Sequence, residues 1–176
     1  MSTSPAPTPT IEPWLRGTHT DVPAVSRAVL HALDLALEDI TKWVAGLTDA
    51  EVHAQPLGLP AVSFHLKHIA RSVDRILTYA EGSQLTAEQL TLLKAEQGGE
   101  ETLAELLGEV EASFANADER VRTLATADPN VARGVGRKQL PTSIGGALIR
   151  GRSHAAARRP GGDHGEGADG AAWLMS

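Results

Sequence analysis

The chain has no cysteine, one tyrosine and two phenylalanines among its 176 residues, and aromatic residues make up 3% of it. Without cysteine there is no disulfide framework, no thiol nucleophile and no thiolate ligand, so any metal has to be held by histidine and carboxylate. Positive charge is also in short supply: 16 Lys and Arg stand against 22 Asp and Glu, a formal net charge of -6. Such a chain has no evident way to neutralise a phosphate backbone, which argues against nucleic acid as a partner. Long hydrophobic runs are missing too. No apolar stretch approaches the roughly 20 residues that span a bilayer, and the opening MSTSPAPTPT lacks the charged and apolar regions of a secretory signal. These absences lead to the expectation of a soluble, cytoplasmic protein with no membrane partner.

What is present divides the chain into three parts. Residues 1–10 are Ser, Thr, Pro and Ala with too little apolar content to offset ordering entropy, and read as a disordered tip. Trp14 is the first residue expected to dock. Residues 11–150 read as a helical domain, because apolar residues recur there at alternating three- and four-residue steps. The first stripe is Val22, Val25, Val29, Leu33, Leu37, Ile40, Val44 and Leu47, with Gly46 at its stop. The second is Val62, Leu66, Ile69, Val73, Ile76 or Leu77, and Ala80, closed by Gly82.

A short helix capped by Thr86 comes next, and then a long stripe through Leu103, Leu106, Val110, Phe114, Ala117, Val121 and Leu124. NVARGVGRKQLP reads as a loop, after which Thr142 or Ser143 is placed to cap a further helix. No segment keeps a period of two, so no sheet is expected and the fold class is all-α, a four-helix bundle. Residues 151–176 break the pattern. They form a Gly-, Ala- and Arg-rich, low-complexity tail with no stripe.

Histidine carries the chemistry available to such a chain. His65 and His68 lie at i and i+3 on the second long helix, where both can lean to one side. The ordinary reading is a local hydrogen bond for one and solvent for the other. A metal between facing helices is the sharper reading. His19, His31 and His53 have no partner at ligand spacing and read as surface or boundary residues, and His154 and His164 fall in the tail.

EPWLRGTHTDVPAVSRAVLHALD, GLPAVSFHLKHIARSVDRILTYAEGSQLTAEQ and GRKQLPTSIGGALI together resemble the DinB-like (DinB/YfiT) superfamily over residues 12–149. The resemblance implies an up-down-down-up four-helix bundle, often dimeric. It also implies a divalent metal (Zn, Ni, Mn or Fe) held by one histidine of the second helix and two, four residues apart, on the last. It implies a thiol-dependent transferase or metal-dependent hydrolase activity, with a low-molecular-weight thiol as partner. Metal would lower the pKa of a bound thiol or water. In HLKHIAR the ligand position matches His68, with His65 as the alternative. On the last helix His154 matches the first ligand position, but Arg158 occupies the second. A guanidinium stays protonated and offers no lone pair, so the metal set His68 and His154 is incomplete.

The genetic code accounts for the tail. From Arg150 onward, one permitted reading a single nucleotide out of register is VADHTQRHVGQAVTTAKVLMA, a last helix of the family's type with paired histidines and the Gly-Gln that follows them. One of its histidine codons straddles Ser153 and His154, and the other straddles Ala157 and Arg158. The segment after Ile149 therefore reads as frameshifted. Helix is expected to run to about Arg159 before Pro160 and the Gly161-Gly162 pair stop it, with arginines where apolar residues belong. The chain as written is expected to be inactive or impaired. The alternative is a non-enzymatic helical module with no metal.

Overall fold

The computed structural model describes residues 11–156, with side chains through residue 151. The expectations for residues 1–10, and for the tail beyond residue 156, lie outside these. The described chain is mostly helical: α1 (Ala24–Val44), α2 (Asp49–His53), α3 (Val62–Ala80), α4 (Ala87–Lys94), α5 (Leu103–Leu124) and α6 (Ile144–Ala156). A hairpin of β1 (Ala132–Val135) and β2 (Leu140–Ser143) joins α5 to α6.

Local chemistry sets the helix ends. Thr48, Thr86 and Thr102 cap α2, α4 and α5, each in a reciprocal box with Glu51, Gln89 and Glu105. The threonine oxygen takes one orphan backbone N–H and the residue three later returns to the cap N–H. Ser143 caps α6 by accepting from the Gly146 N–H at 3.1 Å. The residues just after Gly46, where the sequence pattern stops α1, open a new short helix, α2, because Thr48 and Glu51 form a capping box there.

The hairpin corrects the expectation of no sheet. Ala132 pairs with Ser143 and Val135 with Leu140 across antiparallel strands. Each strand has four residues, too few to write an alternating pattern into the sequence, and backbone pairing defines them instead. The turn takes Gly136 and Gln139 into positive φ, and the Gln139 N–H donates to the Gly136 carbonyl at 3.1 Å. The hairpin aims α6: the Ile144 N–H donates to Val131 O and the Gly145 N–H to Pro129 O.

α1 and α3 each pack against both α5 and α6. The core between them holds Val29 and Leu33 of α1, Leu66, Val73 and Leu77 of α3, Val110, Phe114 and Val121 of α5, and Ile144 and Leu148 of α6. The predicted stripe of α5 is buried from Leu106 to Leu124. Two boundary expectations are corrected. Pro13 rather than Trp14 is the buried residue of the first turn, and Trp14 stands outward with its Nε1–H on Glu12. His31 is buried, its Nε2 beside Thr18 Oγ1 at 3.1 Å.

α6 carries the weakest part of this core. Ile144, Ala147, Leu148 and Gly151 face inward, while Arg150 is exposed. Gly151 helps line a cavity of about 10 Å³ with Val29, Leu33, Ile76 and Leu148. A Cβ on Gly151 would meet Ile76 Cγ2 at 3.6 Å, an ordinary contact. Gly151→Ala is expected to raise stability by about 0.5–1 kcal/mol, since alanine costs less helix entropy than glycine. Urea unfolding measures it, and a destabilised variant would contradict this packing.

Candidate functional site

α3 buries 14 of its 19 residues, more than an apolar stripe alone accounts for. Its second buried side is polar. Phe64, His68, Arg71 and Arg75 follow one another at steps of four, three and four, which lays them along one line of the helix. The connection from α4 to α5 covers that line. Lys67, adjacent to it and fully buried, donates from Nζ to the Gly98 carbonyl and to Glu101 Oε2 at 3.2 Å. Arg71 donates to Glu109 Oε1 at 2.6 Å and to the carbonyls of Leu92 and Ala95.

Glu96 sits at the centre of this cover and is 3% exposed. Its Oε2 lies 2.7 Å from His68 Nδ1, and its Oε1 accepts from Arg75 Nη1 at 2.6 Å. An ionised carboxylate only accepts, so the proton of that first bond belongs to Nδ1 and the tautomer of His68 is set. The His68 ring also stacks on Phe64, with centroids 5.6 Å apart. Burial pushes the Glu96 carboxyl up. The His68 hydrogen bond and the charge of Arg75 together outweigh it, and the group ends below the ordinary carboxylate value.

With Nδ1 committed to Glu96, Nε2 is the atom through which His68 could ligate a metal. A carboxylate behind the imidazole is the usual way a ligating histidine is oriented. The remaining donors do not complete a set: no three His, Cys, Asp or Glu side chains converge on one point among the described residues. His154 falls in the last described turn of α6, and its side chain, position 158 and His164 lie outside the description. His65 is half-buried, edge-on to Phe64 at 5.3 Å. His19 and His53 are held elsewhere, by Asp34 at 2.8 Å and by the Glu101 carbonyl at 2.8 Å.

The pattern of α3 pointed to His68, but not to Glu96 or Arg75. Glu96 is 28 positions from His68, in a connection with no periodicity. The available signal was His68, Arg71 and Arg75 at steps of three and four on a helix that already carried a full apolar stripe.

Removing one member of a buried ion pair leaves the other uncompensated. Glu96→Gln is therefore expected to cost about 3–5 kcal/mol in urea unfolding. Because the folded carboxyl is depressed, its contribution is present above the unfolded value and is lost as pH falls through the folded one. That part of the acid slope should vanish in Glu96→Gln. An unchanged slope would show that Glu96 is not the group responsible.

No described helix is long and apolar enough to cross a membrane. No curated protein and no solved structure gives a significant match to the chain. The family model of the DinB superfamily matches residues 32–158, which takes in α3, the hairpin and the whole described length of α6. With a helical core of the kind that resemblance implies and a match over most of its length, the chain belongs to the DinB superfamily.

Proposed function

We propose that this chain is a DinB-superfamily protein of the metal-binding type, related to thiol-dependent transferases or metal-dependent hydrolases, whose site is incomplete as written. α1, α3, α5 and α6 are then the four helices of the up-down-down-up bundle. The observation that carries the reading is His68. It is buried at the position the resemblance assigns to the helix-two ligand, and the Glu96 carboxylate fixes its ring and tautomer.

The second ligand in this reading is His154, and the third position carries Arg158. We assign the missing donor to a shift of reading frame after Ile149. The proposed metal is Zn, Ni, Mn or Fe, the proposed partner a low-molecular-weight thiol, and the proposed setting a cytoplasmic homodimer. The arginine at position 158, where the resemblance expects a histidine, leaves a second reading, a helical module with no metal.

Metal analysis separates the two. The purified chain is expected to hold substoichiometric metal, and a version with the frame restored after Ile149 to hold a stoichiometric divalent ion that His68→Ala removes. Metal that survives His68→Ala overturns the site. A frame-restored chain that binds none establishes the module instead.

A further inference from the structure

A cleft of about 330 Å³ opens between α3, α4 and α5, with Arg71, Asp74, Arg75, Gln89, Glu109 and Ser113 on its walls. Most of these groups are already used. Arg71 is paired with Glu109, Asp74 with Arg120 and Gln89, and the Ser113 hydroxyl donates to the Ala70 carbonyl. Arg75 differs. One nitrogen, Nη1, donates to Glu96, while Nε and Nη2 are buried with no hydrogen-bond partner among the described residues. Two unspent donors on a guanidinium that is 1% exposed are costly, and a buried donor of this kind calls for an acceptor.

We propose that Arg75 is the recognition residue of a binding site for a small carboxylate-bearing ligand. Nε and Nη2 form the side edge of the guanidinium, whose two parallel N–H groups match the two oxygens of one carboxylate. The surrounding charge selects a single negative charge. Around the cleft Arg71, Arg75 and Arg120 pair with Glu109, Glu96 and Asp74, three charges of each sign, so the ligand's own charge has to be small. A phosphate dianion would meet these carboxylates, whereas a monoanionic carboxylate adds the least repulsion.

Entry follows from how α4 is held. Arg75 lines the cleft, but its Nε and Nη2 are closed to solvent, so an occupant reaches them only where the wall gives way, and α4 is the wall least firmly held. α4 contributes one buried residue, Leu93, to the packing, and its remaining ties to α3 are polar. A wall with so little buried apolar area opens at low cost compared with the core helices. The assignment needs no metal.

The side-chain Nε–H resonance of Arg75, identified by its loss in Arg75→Lys, reports occupancy directly in the full chain. Titration with acetate at constant ionic strength, balanced by chloride, is expected to move it saturably. Arg75→Lys keeps the charge and removes the fork, and its saturable rise in thermal midpoint with acetate should weaken by about tenfold or more. A resonance that acetate leaves unmoved overturns the proposal. So does a midpoint response that persists undiminished in a folded Arg75→Lys, or one that phosphate reproduces at equal concentration.

Discussion

The burial of one carboxylate organises the polar side of this protein. Glu96 is carried on the connection between α4 and α5, yet it is inserted against α3, where His68 and Arg75 take one oxygen each. A carboxylate withdrawn from water is tolerated only when its charge and lone pairs are met, and both partners are needed to do so. Their spacing of seven residues on one helix presents an imidazole and a guanidinium on the same line. The connection is thereby docked on α3, and His68 acquires a fixed tautomer.

The same constraint explains the unusual character of α3. A bundle helix ordinarily buries one stripe and leaves the rest to water. α3 buries an apolar stripe against α5 and α6, and a polar line against the α4–α5 connection. Lys67 and Arg75 meet Glu101 and Glu96 on that connection, and Arg71 meets Glu109 on α5. The acidic excess of the chain is partly spent here, close to a row of cations that a count of net charge does not reveal.

α6 shows a different relation between chain and fold. Its start is secured by the β-hairpin, the Ser143 cap and two backbone hydrogen bonds to Pro129 and Val131 in the loop between α5 and β1. Its inward positions are Ile144, Ala147, Leu148 and Gly151, so the apolar contribution shrinks along the helix toward the point where the reading frame is proposed to change. Arg150 turns to solvent rather than into the core, as the cost of burying an unpaired guanidinium requires.

The sequence by itself determined the long helices, the Thr86 cap and most of the core. A stripe such as Leu106 to Leu124 repeats over about five turns, and a capping box is a four-residue pattern, so both are written locally. It also determined His68 as the ligand candidate and the mismatch at Arg158. Tertiary structure alone decided the hairpin, whose four-residue strands exist only through pairing with each other. It alone decided the burial of His31, and the meeting of Glu96 with His68 and Arg75. Those features arise from contacts between residues far apart in the chain, and an isolated glutamate in an irregular connection has no local signature of the partners that folding will bring to it.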